Sequence, residues 1–414
     1  ALPHGSFSPM HSLVFKQIYT PTHSVPISGT CVHDRISVKT GFMMRSMRVL
    51  GVAALFLGAL TLYAENETPV PTVLVGDVTL KVERQNSEQE RLDVGLAVFD
   101  PGIPIDRSSH SKLGIFPEIR KAESKFMPVL LRQALVASNA WGVVRVLPDA
   151  QMTTEVLVTG VIKHSDGSRL ELNITAVDAT GLVWFDRLYR DQTNSSDYPA
   201  AEDRDPYDDM YRQIANDLLN YREGLTERQL QAIRQTAFLR YAASLSEDAF
   251  GGYLQKNEQG IYSVVRLPAQ GDPMTRRVEG LREQEHLFVD TVDEQYVDLF
   301  DEMLVTYSLW REYSRDQALY LDDYEARAQT KERAGRRGTF AAMEQTYNTY
   351  KQVKIQEQDL DEMATGFNNE VAPTVMEASG RVFRLNGSLD AQYQEWRDIL
   401  REIFALETGL PSSN

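Results

Sequence analysis

The hydrophobic period changes once along this chain, and that change limits the folds open to it. From Leu170 to Gln192, LELNITAVDATGLVWFDRLYRDQ alternates apolar and polar residues on both sides of Asp178-Ala179-Thr180-Gly181. A period of two with a turn in its middle is the pattern of a half-buried hairpin. From Tyr207 onward the apolar residues recur about every 3.6 residues, the spacing of amphipathic helices. Between the two regimes, TNSSDYPAAEDRDP (193–206) is polar, acidic and bounded by proline, the composition of a linker. The expectation is an α+β protein: a small mixed α/β sheet domain over 71–192, a linker over 193–206, and a long all-α helical bundle or stalk over 207–414.

Within the first part, Pro71 to Glu83 reads as a strand or strand pair, and Val94 to Phe99 as a short strand ended by Asp100-Pro101-Gly102. A helix is expected from about Glu118 to Ala140, with Pro128 as a kink or a late start. Gly142 to Pro148 is the next strand. Three strands follow, separated by turns at Ser165-Asp166-Gly167 and Asp178-Ala179-Thr180-Gly181.

The order strand (LAVFDP), helix (FMPVLLRQALVASNAW), strand (GVVRVLP), strand (EVLVTGVIKH) and hairpin (VDATGLVWF) resembles the periplasmic αβ domain of the TolB amino-terminal region and of CsgG-like envelope-assembly proteins. The matching stretches are Leu96–Phe99, Val143–Val146, Val156–Val161 and Val177–Phe185, within residues 92–192. The chain departs from that pattern in a long segment at 101–117 and in lacking a lipid-anchoring cysteine. The resemblance implies a partner-binding module of the cell envelope; no family is recognised for 207–414.

Residues 1–42 lack sustained periodicity and hold Cys31, the only cysteine, and four of the seven histidines; they read as a non-native or disordered leader. Starting from Met43, Met44 or Met47, a basic start at Arg45 and Arg48, an apolar run from Val49 to Leu60 and a cleavage point after Ala64 make 43–64 a signal peptide. An uncleaved anchor is the alternative, although the uncharged run is shorter than the roughly 20 residues of a spanning helix. Cleavage removes Lys16, Arg35, Lys39, Arg45, Arg48 and Asp34, so 43 basic residues fall to 38 and 59 acidic residues to 58. So acidic a chain is a poor ligand for nucleic acid. Its location is expected to be periplasmic or otherwise extracytoplasmic, with peripheral membrane association left open.

In the second part, Tyr207, Met210, Ile214, Leu218 and Tyr221 mark one helix, and Thr226 with Gln229 a capping box that opens another. Gly251-Gly252 breaks the pattern before a strand-like IYSVVRLP (261–268). Phe288, Val292, Tyr296, Leu299, Met303, Tyr307 and Trp310 then follow at intervals of 4, 4, 3, 4, 4 and 3, an eleven-residue repeat. Such a stripe reads as a buried seam. Lys331 to Gln345 is expected as a turn, followed by a helix past Leu360 and Met363. A last helix holds Leu389, Tyr393, Trp396, Leu400 and Ile403 after Asn386-Gly387-Ser388. Helices of this kind form a bundle that serves as spacer, docking surface or homo-oligomer interface.

No nucleophile elbow, Walker loop, dinucleotide turn or HExxH pair occurs. Beyond residue 64 the histidines are His110, His164 and His286, in separate segments, without the spacing of a metal site. Arg333, Arg336, Arg337 and Gly338 read as an anion cradle or, more simply, as a solvated helix end. Asp208-Asp209 and Asp322-Asp323 are carboxylate pairs of the kind glycosidases use, but adjacent acids are frequent in so acidic a chain. Asn173 and Asn194 begin sequons. No catalytic, cofactor-binding or metal residue is assigned and no cofactor is expected. The reading is a non-enzymatic exported scaffold that binds protein partners in the cell envelope. The alternatives are an acidic-residue, glycosidase-like hydrolase and a membrane-tethered scaffold that keeps its apolar segment.

Overall fold

The two-residue period of 156–192 builds the centre of a six-stranded sheet. A computed structural model describes residues 70–84, 91–113, 115–150, 154–194, 197–198, 205–332, 358 and 373–410. Strands β1 (Thr72–Leu74), β2 (Val94–Ala97), β3 (Val144–Leu147), β4 (Val156–Ser165), β5 (Arg169–Asp178) and β6 (Val183–Gln192) lie in the order β1-β6-β5-β4-β2-β3. The three long strands pair antiparallel. β1 joins β6 in parallel, and β2 joins both β4 and β3 in parallel. The leader, the 43–64 segment, the turn after Glu332 and the helix expected past Leu360 lie outside the described residues.

The strand pair expected over 71–83 shortens to β1. Beyond it the backbone is held by the side chains of helix α3 (Asp208–Glu223). Asp209 accepts from the Val78 N–H at 3.1 Å; Asn216 accepts from the Lys81 N–H at 2.8 Å and donates to the Thr79 carbonyl at 3.0 Å. A segment flanked by a helix instead of a strand thus meets its hydrogen-bonding needs without a ladder.

Helix α1 (Arg107–Leu113) occupies part of the 101–117 segment, and α2 (Pro117–Ala137) crosses from β2 to β3. Pro117 begins α2, where a missing N–H costs nothing. Pro128 lies inside it and neither starts nor ends it. A proline leaves the carbonyl four residues back without its helical donor. That carbonyl, on Ser124, instead accepts the N–H of Phe99 at 2.9 Å, so the helix is tied to the chain leaving β2.

The 3.6-residue period gives α3, α4 (Glu227–Leu245), the single turn α5 (Glu247–Phe250), the long α6 (Pro273–Glu332) and α7 (Leu389–Thr408). Thr226 and Gln229 form the expected capping box. This half also carries two antiparallel hairpins: β7 (Leu254–Lys256) with β8 (Tyr262–Val264), and β9 (Thr374–Ala378) with β10 (Arg381–Leu385). β8 falls in the stretch expected as strand-like. β9–β10 carries no turn dipeptide as strong as Asn-Gly at its tip; Ser379 and Gly380 both turn there with positive φ.

The eleven-residue stripe is buried at six of its seven positions. Leu299 is half-buried beside the core, and Phe300, 5% exposed, takes the inner place. The first part of the seam packs on α7, with Phe288 6.0 Å from Tyr393 and 6.5 Å from Trp396 between ring centres. Further on it packs on α2, where Phe126 lies 5.2 Å from Phe300 and 5.3 Å from Tyr307.

These contacts run across the expected boundary between 71–192 and 207–414. Residues 67–414 form one compact unit, and one apolar cluster runs from Leu172 of the sheet through Ile214 of α3 to Phe288 of α6 and Trp396 of α7. The physical reason is coverage. A sheet buried on one face needs more apolar cover than α2 alone supplies, and the helices beyond 206 provide it. The polar composition of 193–206 does not mark a gap between cores.

Candidate functional site

Polar groups inside an apolar core are informative because burial without partners is costly. The most deeply buried cluster lies where the β4–β5 turn meets α6. Glu123 of α2 accepts from Ser165 Oγ at 2.6 Å and Tyr307 Oη at 3.0 Å, and pairs with Arg311 at 3.4 Å. Arg311, 0% exposed, also donates to the Asp166 carbonyl at 2.6 Å and lies across the rings of Tyr207, Tyr307 and Trp310. The cluster is a clamp between the hairpin turn, α2 and α6.

The other hairpin turn is clasped as well. Asp178 accepts from the Thr180 N–H at 2.8 Å and from Trp184 Nε1 at 2.9 Å, and Gly181 takes the positive φ of 89° that the turn requires. Tyr262 of β8 donates its N–H to the Thr180 carbonyl at 2.7 Å, and Arg240 of α4 donates to that of Ala179 at 2.9 Å.

The three histidines have separate surroundings. His110 contacts the Pro104 carbonyl at 2.7 Å through Nε2, and His164 contacts Asp166 at 2.6 Å. Although burial opposes it, the His164 hydrogen bond and charge hold the Asp166 carboxyl well below the ordinary range. Asp208 and Asp209 share Arg212, each at 3.1 Å. Asn173 donates to Asp186 at 2.9 Å. The side chains of Asp322 and Asp323, and the cluster from Arg333 to Gly338, lie outside the described residues. Among the described residues no three His, Cys, Asp or Glu are grouped to hold a metal, and no helix is long and apolar enough to cross a membrane.

His286, on α6, lines a narrow cleft between α6, β2, β3 and the residue Thr154 before β4. Burial pushes its imidazole down to about 4, helped by the charges of Arg145 and Arg282 and opposed by Asp93 and Asp290. Arg282 lines both a narrow cleft with Asp93, Arg145 and His286 and a cavity of about 290 Å³ with Glu155, Arg234, Phe238, Leu267 and Pro268. Burial raises the Glu155 carboxyl. Glu155 accepts the Asp93 N–H at 2.9 Å, and Asp93 accepts the Val143 N–H at 2.8 Å. Sequence reasoning met His286 only as an isolated histidine. Arg282 gave no signal, because most of its surroundings come from α4, β3 and the residues just before β2 and β4, all distant in sequence.

A wider groove of about 520 Å³ lies between the start of α6, the β9–β10 turn and the end of α7. Within it Glu407 pairs with Arg277 and accepts from Ser379 at 3.0 Å.

The sheet itself is asymmetric. Towards the helices, Val158, Ile162, Leu172, Ala176 and Tyr189 are fully buried. On the opposite face, register aligns Leu157 with Val177, Thr159 with Thr175, Val161 with Asn173, and Asn173 in turn with Leu188. All of these stay half-buried, and Asp186 beside them is exposed. At one edge, β3 is covered by α6: Asp293 accepts the Val146 N–H at 3.0 Å and pairs with Arg132 at 2.8 Å, while Asp290 pairs with Arg145 at 2.5 Å. The other edge is the short β1, whose Leu74 is 75% exposed.

Comparison with known proteins finds no matching family model, no matching curated protein and no matching solved structure.

Proposed function

We propose that this chain is a non-enzymatic, exported cell-envelope scaffold that presents the outer face of β4–β5–β6 to a protein partner. The observation that carries the reading is the one-sided sheet. A face with Leu157, Val161, Val177 and Leu188 among threonines and an asparagine is apolar enough to dock a partner and polar enough to remain hydrated without one. The resemblance of 92–192 to TolB amino-terminal and CsgG-like modules agrees with this role, as does the signal-like segment at 43–64.

The rival reading, a hydrolase working through acidic residues, needs two carboxylates free to act on one substrate. Glu155 and Asp93 are the acids beside the central crevice, and each already accepts a backbone N–H. That weakens the rival.

Photo-crosslinking in cells tests the proposal. A photoreactive residue at Thr159 or Thr175 should join the chain to one discrete protein, and one at Asp298 or Glu302, exposed on α6, should not. Equal crosslinking from all four positions, or none from the sheet positions, rejects the proposed face.

A further inference from the structure

Arg282 is half-buried on α6, beside the cavity that it lines. Its Nε is shut off from solvent without a hydrogen-bond partner, and its guanidinium forms no ion pair among the described residues. Arg132, Arg145, Arg222 and Arg311, by contrast, each meet a carboxylate. A buried donor without an acceptor is costly, and a planar oxyanion offers the acceptors a guanidinium fork fits best.

We propose that the crevice at Arg282 binds a small apolar carboxylate, its oxygens on Arg282 and its apolar body against Phe238, Leu267 and Pro268. The cavity, about 290 Å³, is near the lower end of small-molecule sites. Arg234 stands on the same wall, 3.9 Å from Glu155. Glu155 itself repels a second negative charge, so the site favours a monoanion over a phosphate dianion. A free aliphatic or aromatic acid and the apolar carboxy-terminal residue of a peptide share this chemistry. The site is distinct from the outer sheet face, and neither proposal depends on the other.

The ionisation of His286 supplies a reporter. Its ring faces Arg282 on its own helix, Arg145 from β3, Asp93 at the start of β2, and Asp290 one turn along α6. An anion bound on Arg282 offsets the cations that disfavour the imidazolium, so the ring should titrate at higher pH when the site is filled.

Calorimetric titration of the full chain with phenylacetate, phenylacetamide and inorganic phosphate tests the proposal. A second arm uses acetyl-Gly-Gly-Leu with a free or an amidated carboxy terminus. Phenylacetate should saturate one site and phenylacetamide should bind at least about tenfold more weakly. Tighter binding of the free peptide than of phenylacetate assigns the site to protein carboxy termini, and the reverse order to free acids. Arg282→Gln should abolish binding with an unchanged circular dichroism spectrum, whereas Arg276→Gln, in the separate groove, should not. In the unsubstituted protein the His286 ring resonances should titrate at higher pH in the presence of phenylacetate, a readout that needs no variant. Equal affinity for acid and amide, displacement of phenylacetate by equimolar phosphate, or an unmoved His286 titration overturns the proposal.

Discussion

A methyl group on Gly167 would stand 1.9 Å from the Arg311 carbonyl oxygen and 2.3 Å from the Arg315 nitrogen, both backbone atoms of α6. The sequence reads Asp166-Gly167 as a turn, which is correct, yet the glycine is needed because a helix more than 140 residues away rests on it. No local pattern carries that information. Gly167→Ala should therefore lose roughly 2–4 kcal/mol in denaturant unfolding, the scale of a forced backbone shift in a packed site. Gly280→Ala, inside α6 with open space around it, should gain about 0.5–1 kcal/mol. Asp191 allows a test in pH. Burial, with the nearby Asp209, Asp197 and Asp205, pushes its carboxyl up to about 7. A folded state that holds its proton more tightly than the unfolded chain is favoured at low pH, and loses that advantage as pH rises from about 4 through 7. Asp191→Asn should thus raise the melting temperature at pH 8, with a gain of about 1–2 kcal/mol after solvent screening, and change it little at pH 4. The unpartnered Arg282 was equally hidden in the sequence, since an arginine on a helix looks the same whether water or a cavity surrounds it.

Among the elements, the long amphipathic runs were the most legible. Helix α7, the capping box of α4 and most of the α6 seam follow directly from apolar spacing, because a helix must bury its apolar stripe. The strict eleven-residue rule failed by one position. Phe300 is drawn inward by Phe126 of α2, and Leu299 turns aside. Phe300→Ala should cost about 3–5 kcal/mol, as removal of a core aromatic does. Leu299→Ala, half-buried, should cost less than half as much; equal losses in thermal unfolding would return Leu299 to the seam. The β9–β10 hairpin and the shortness of β1 were not legible, since a five-residue strand and a strap held by Asn216 depend on neighbours distant in sequence. Pro128 shows the same dependence: its place within α2 is stabilised by a donor, Phe99, outside the helix.

For the whole molecule, the α+β class was legible and the extent of the cooperative unit was not. The change of period at 193–206 is real, but period reports element type and says nothing about which elements share a core. Calorimetry of the chain from residue 67 onward should show one unfolding transition, and fragments divided between Thr193 and Asp205 should not fold separately. Two independent transitions would restore the two-domain division. The coverage of β3 by α6 has a further bearing on biosynthesis. Val146 and Arg145 are made early, while Asp293 and Asp290, which close that edge, are 147 and 145 residues further on. A nascent chain leaving the ribosome therefore exposes an unfinished sheet edge until α6 has followed, and such delayed long-range pairing makes folding slow. Under the export proposed above, that delay would keep the chain unfolded for as long as passage through a translocon requires.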